Sequence, residues 1–159
     1  MHEDFVHELR VRYGECDPQG IVFNANYLLY FDVAFTEMWR AAVGPWEQMV
    51  ERGIDAVVAE TNLRFHAPAR FDDELQLHVR VVRLGETAVT TEIDVMREQE
   101  LLLAGWLRHV CVDTRSIENG MPEKVAIPDW IRTGLRRYAR PDAELAKEPT
   151  EPGGRARQL

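Results

Sequence analysis

The sequence predicts an α+β domain in which an antiparallel five-stranded sheet wraps one long central helix, and two patterns carry that prediction. A stretch near the N-terminus, Ala25 to Val43, contains no Pro and no Gly and is apolar round most of its circumference. After it, as far as Asp113, the chain reads as runs of period two separated by short turns, the mark of an antiparallel meander. A helix apolar on several sides has to be buried on several sides, and one curled sheet can bury it.

The elements follow in order. Phe5, Leu9, Val11 and Tyr13 fall on one face of a first strand, with Glu8, Arg10 and Arg12 on the other. Gly14 to Gly20 is rich in turn formers and reads as a loop. Asn24 is the expected N-cap of the long helix. Arg40 lies near its C-terminal end, where the macrodipole favours a cation, and Gly44-Pro45 stops it. Pro45 to Arg52 reads as a short helix with Gly53 just past its end. Strands are then expected around Val57 to Phe65, Leu75 to Val81, Val89 to Val95, and Leu101 to Asp113, the last apolar on both faces. Pro128 to Tyr138 reads as a terminal helix with Trp130, Ile131, Leu135 and Tyr138 on one side. The domain is expected to span residues 1–140. Residues 141–159, rich in Pro, Glu, Gly and Arg, are expected to form a disordered tail.

Composition narrows the function classes. The formal net charge of −8 argues against a nucleic-acid partner, and an anionic ligand would need a local positive patch. Met1-His2-Glu3-Asp4 has no apolar run, so no signal peptide is expected, nor is any stretch long enough to span a bilayer. Cys16 and Cys111 make neither a disulfide framework nor a metal-ligand pair, and a cytoplasmic location is expected.

The segment Tyr13-Gly14-Glu15-Cys16-Asp17-Pro18-Gln19-Gly20-Ile21-Val22-Phe23-Asn24-Ala25-Asn26-Tyr27 closely resembles the signature of the 4-hydroxybenzoyl-coenzyme A thioesterases and related short-chain acyl-coenzyme A thioesterases. Phe31 to Ala34, Gly44 to Gly53 and Ala69 to Asp73 also look like that family, so the likeness covers about residues 5–138. It implies the hotdog fold, which agrees with the element order read from the pattern. It implies too an acyl-coenzyme A substrate, no metal or other cofactor, and a homodimer or homotetramer with active sites at subunit interfaces. The chain departs from the 4-hydroxybenzoyl enzymes at Asn24, where they carry an aromatic residue. It departs again at the turn Leu84 to Thr87, which is less basic here.

A thioester carbonyl needs a base or nucleophile beside it and a partner for the charge that grows on its oxygen. By resemblance, Asp17 supplies the first, either attacking the carbonyl or activating water. The backbone N–H of Asn24, at the start of the helix, supplies the second. Gly20 lets the chain turn tightly beside the substrate, Phe23 and Tyr27 are expected to line the acyl slot, and Asp32 to reach the acyl pocket. Arg64, Arg70, Arg83 and Lys124 are candidates for the nucleotide phosphates.

Each residue also has an ordinary reading. An Asp before Pro is by itself a turn former. Cys16 reads as an inert thiol, Asp32 and Glu37 as partnered helix carboxylates, and His7, His66, His78 and His109 as structural. Glu37 keeps an alternative, because another branch of hotdog thioesterases carries its carboxylate on the helix. Two rival functions stand beside hydrolysis: an acyl-thioester hydratase or dehydratase, and a non-catalytic acyl-thioester binder.

Overall fold

The computed structural model describes residues 3–149. The chain runs β1 (Phe5–Arg10), α1 (Asn26–Ala42), α2 (Trp46–Glu51), β2 (Ile54–Phe65), β3 (Glu74–Leu84), β4 (Ala88–Arg97), β5 (Glu100–Asp113), α3 (Thr114–Glu118) and α4 (Asp129–Leu135). Five strands form one sheet in the order β1-β3-β4-β5-β2, antiparallel at every pairing. No described helix is long and apolar enough to cross a membrane.

The period-two pattern sets which face of the sheet meets α1. Leu75, Leu77, Val79 and Val81 of β3 join Val89, Ile93 and Val95 of β4, and Leu103 and Leu107 of β5, in one core with Tyr30, Phe31, Ala34, Phe35, Met38 and Trp39 of α1. Fully burying one such large side chain contributes about 1.5–3 kcal/mol. Gly105 explains where the helix can lie: a side chain there would come within 2.9 Å of the Phe31 ring and closer still to the carbonyl oxygen of Asn62. One helical turn on, Phe35 stacks on His109 of β5 with centroids 3.8 Å apart. Phe31 and Phe35 thus pack one face of α1 against β5.

The structure departs from the expected elements at several points. Asn24 is not the N-cap. It lies in a turn before α1, Ala25 is the capping residue, and no side chain bonds at the cap. Asn26 N donates to Phe23 O at 2.9 Å and Tyr27 N to Asn24 O at 3.3 Å, so the turn leads into the helix without a cap. Nor is α1 covered all round by its own chain, since Leu28, Leu29 and Val33 are 39%, 51% and 38% exposed. Apolar character round the circumference does not say what covers it, and the sheet covers one face. β2 begins at Ile54, three residues before its first expected member, Val57. The short α3 had no expectation; the Asp113 side chain caps it by accepting from Arg115 N.

Residues 141–149 of the expected tail lie against the sheet. β1 pairs with β3 only as far as Val79, and beyond it Arg140 N donates to Val81 O at 2.9 Å and Leu84 N to Ala143 O at 2.8 Å. Ala143 is buried, Glu148 pairs with Arg83, and Glu148 accepts from Thr90 Oγ1 at 2.8 Å. Residues 150–159, the remainder of that expected tail, lie outside the described residues, as do Met1 and His2.

Candidate active site

β1 runs out through Val11 into a 3-10 turn, Tyr13–Glu15, that delivers the chain to Asp17. The loop is a tight hairpin. Asp17 N donates to Ile21 O at 2.8 Å and Gly20 N to Asp17 O at 2.9 Å, while Gln19 N donates to Asp17 Oδ1 at 2.8 Å. Gly20 takes φ +77°, a left-handed conformation that a side chain resists. Behind the tip Cys16 pairs with Val22, and Ile21 pairs with Arg70, clipping the hairpin to the segment ahead of β3. Asp17 is half-buried. One of its carboxylate oxygens is held by Gln19, and the other accepts nothing among the described residues.

The returning strand of this hairpin leads straight into α1. Phe23 N donates to Glu15 O at 2.9 Å. The next two N–H groups, of Asn24 and Ala25, donate to nothing among the described residues. They stand at the positive end of a 17-residue helix, where the aligned peptide dipoles favour a developing negative charge. Asn24 is exposed, and Phe23 is 49% exposed beside it. A half-buried carboxylate with one free oxygen and a pair of unpartnered N–H groups, joined by one short hairpin, can serve a reaction that needs a base or nucleophile and an oxyanion partner.

Glu15, a residue with no candidate role from its sequence position, holds the arrangement together. Its carboxylate accepts from Tyr30 Oη at 2.6 Å, Arg12 N at 2.8 Å and Arg12 Nε at 2.9 Å. Its carbonyl accepts from Asn26 Nδ2 at 2.8 Å. Burial pushes the Glu15 carboxyl up, but the hydrogen bonds from Tyr30 and Arg12 outweigh it and hold the group below the ordinary glutamate value. The Tyr30 hydroxyl is pushed well above the ordinary tyrosine value by burial and by the carboxylate it faces. The usable signal in the sequence is the Arg12-x-x-Glu15 spacing immediately ahead of Asp17.

The remaining candidates are placed unequally. Asp17, Gly20, Phe23 and Asn24 share the hairpin and its exit. Tyr27 turns inward: it is 2% exposed, its hydroxyl accepts from Ala69 N at 3.0 Å, and its ring packs edge-on against Tyr30 and Phe65. Within one chain it forms the floor under the hairpin rather than an open wall. Asp32 is exposed on α1, about 9 Å along the axis from the helix start at 1.5 Å per residue, and is not brought to the loop. Glu37 pairs with Arg40, whose hydrogen bond holds its carboxyl below the ordinary value.

Of the phosphate candidates, Arg83 is occupied by Glu148. Arg64, Arg70 and Lys124 are exposed, and none has a carboxylate partner among the described residues. Asp17 lines neither of two surface hollows, one at Arg97–Glu100 and one between β1 and β3. Among the described residues no group of three His, Cys, Asp or Glu side chains could hold a metal ion.

Known proteins resemble this chain over most of its length. The family model described as the thioesterase superfamily matches residues 19–104. Acyl-CoA thioester hydrolase YbgC of Escherichia coli is 31% identical, over 66% of this chain and 79% of its own length. The 4-hydroxybenzoyl-CoA thioesterase of Pseudomonas sp. is 34% identical over 48% of this chain and 57% of its own. A solved structure, a hypothetical protein from Thermus thermophilus, superposes with a TM-score of 0.76 at 30% identity, covering 85% of this chain and 99% of that one. The five-stranded antiparallel sheet with α1 packed on it is the hotdog fold of such thioesterases. The family match spans more than half of the sequence, and the chain belongs to the thioesterase superfamily.

Proposed function

We propose that this protein is an acyl-CoA thioesterase: it hydrolyses a thioester to a free acid and coenzyme A. The observation that carries the reading is the nearness in the chain, on one hairpin and its exit, of the Asp17 carboxylate and the N–H groups of Asn24 and Ala25, with one carboxylate oxygen and both N–H groups unpartnered among the described residues. In this reading the thioester oxygen accepts from those N–H groups, and one such donor is worth about 3–4 kcal/mol in the transition state. Asp17 either attacks the carbonyl, expelling the thiolate and leaving a mixed anhydride for water to open, or takes a proton from the attacking water. Both routes end in the same acid and thiol. Phe23 borders the acyl group, Gly20 lets the chain close beside it, Tyr27 supports the site from below, and Asp32 stands exposed farther along α1. An aromatic acyl group such as 4-hydroxybenzoyl fits the kinship with the 4-hydroxybenzoyl-CoA enzyme.

The unit that acts is proposed to be a homodimer joined along β2. This strand has 12 residues and, among the described residues, pairs on one side only, with β5. It exposes Val58 at 50% and Phe65 at 53%, and a long apolar edge strand left open invites association. A second chain there would also stand near Tyr27, against which Phe65 packs. A coenzyme A thioester substrate and two free cysteines fit a reducing cytoplasm.

The test is thiol release over a panel of benzoyl, 4-hydroxybenzoyl, phenylacetyl, acetyl, butyryl and octanoyl coenzyme A thioesters, with wild type and Asp17→Asn side by side. Turnover by the wild type that falls by about a thousandfold or more in Asp17→Asn is the expected result. No thiol release from any member, with tight binding unchanged in the variant, would replace the enzyme with a binding protein. Loss of enoyl absorbance without thiol would point to a hydratase.

A further inference from the structure

We propose that Glu15 is a positioning residue for the hydrolysis: it locks the Asp17 hairpin to the start of α1, so that the carboxylate and the two free N–H groups keep one fixed geometry. The inference rests on the reading of Asp17 and Asn24 given above. Arg12, which donates twice to the carboxylate, precedes the hairpin. Phe23 and Asn26, which donate to the Glu15 carbonyl at 2.9 Å and 2.8 Å, bracket Asn24 and Ala25 in the chain. Tyr30, which donates at 2.6 Å, lies on the second turn of α1. One residue two positions before Asp17 is thereby tied to the chain on both sides of the oxyanion groups.

The environment makes the lock stiff. Glu15 is 9% exposed and Tyr30 2%, and charge-assisted hydrogen bonds in such surroundings are short and directional. No part of Glu15 is placed to meet the substrate, since both carboxylate oxygens are taken by donors from its own chain. A displacement of the reacting groups by about 1 Å can cost on the order of 100-fold in rate, which is the effect such a lock would prevent. Glu15→Gln opens it with little change of shape. The amide has one acceptor oxygen where the carboxylate had two. Tyr30 Oη can turn to accept from the new NH2, but Arg12 N and Nε can only donate.

The experiment measures kcat and KM for thiol release by wild type, Glu15→Gln, Tyr30→Phe and Asp17→Asn, each well below its own thermal midpoint. Hydrogen exchange is followed in parallel on the peptide covering residues 16–26. Glu15→Gln should lower kcat by ~10- to 100-fold with KM within about threefold, and should raise exchange in that peptide while β3 to β5 stay protected. Tyr30→Phe should do the same to a smaller degree, and it substitutes for Glu15→Gln if that variant fails to fold. Asp17→Asn should lose kcat without loosening the peptide. Full kcat in folded Glu15→Gln, or faster exchange spread evenly over the sheet, would overturn the proposal and leave Glu15 as ordinary core support. If the wild type releases no thiol, the hydrolytic reading falls. The exchange arm then still decides whether Glu15 locks the hairpin, and an unchanged 16–26 peptide refutes the lock.

Discussion

His109 offers a stability prediction that can be worked through from the structure. Its ring is 3% exposed, lies nearly parallel to Phe35 with centroids 3.8 Å apart, and has a buried Nδ1 with no partner among the described residues. Burial pushes its pKa down to about 4, from an ordinary value of 6.5. The folded protein therefore holds His109 neutral where the unfolded chain would take up a proton. The stability this confers is fully present above pH 6.5 and drains away as the pH falls toward 4. Each pH unit between the two pKa values removes about 1.4 kcal/mol, so the loss between pH 7 and pH 4 comes to about 3 kcal/mol. That is a large part of the ~5–15 kcal/mol of an ordinary domain. His109→Phe keeps an aromatic ring against Phe35 and cannot titrate. Urea unfolding of both proteins at pH 7 and pH 4, at one protein concentration, isolates the effect, because the carboxylates titrate in both and cancel in the difference. The stability of the variant relative to the wild type should rise by about 3 kcal/mol on going to pH 4. A gap that stays the same at the two pH values would refute the reasoning.

Two residues of the sheet, Glu92 and Val58, give further tests, with Glu37 of α1 as the control for the first. Glu92 is buried and pairs with both Arg80 and Arg140, while Arg80 keeps Asp94, so Glu92→Ala should destabilise by about 1–3 kcal/mol; Glu37→Ala, which opens only the exposed pair with Arg40, should stay within about 0.5 kcal/mol in the same urea assay. If the proposed dimer forms along β2, Val58→Lys on that edge should give monomer in sedimentation equilibrium, and a wild type that is monomeric at micromolar concentration would remove the edge-pairing proposal.

Much of the fold could be read from periodicity. Leu75, Leu77, Val79 and Val81 alternate with polar residues because β3 has one face in the core, and the structure buries all four. The absence of Pro and Gly from 25–43 marks α1 to within a residue at each end, since backbone propensity is local. The loop from Tyr13 to Asn24 was legible as a candidate site through its motif, with Gly20 at the one position where the turn takes positive φ. Glu15 was not legible in the same way. It looks like one more acidic loop residue until Tyr30, fifteen positions on, is folded over it.

By itself, then, the sequence determined the quantities that depend on neighbours along the chain: the helix, the strand periods, the turn at Gly20 and the acidic residue presented on it. Tertiary structure decided whatever depends on neighbours in space. It chose which stripe of an almost wholly apolar α1 faces the sheet, leaving Leu28, Leu29 and Val33 outside and packing Phe31 over Gly105, where a side chain would come within 2.9 Å of its ring. It laid residues 141–149 along β3 where β1 ends, using backbone bonds and the Glu148 carboxylate rather than the apolar content a sequence reading looks for. It also joined Glu15 to Phe23, Asn26 and Tyr30, residues eight to fifteen positions further along the chain, by hydrogen bonds that no spacing rule encodes.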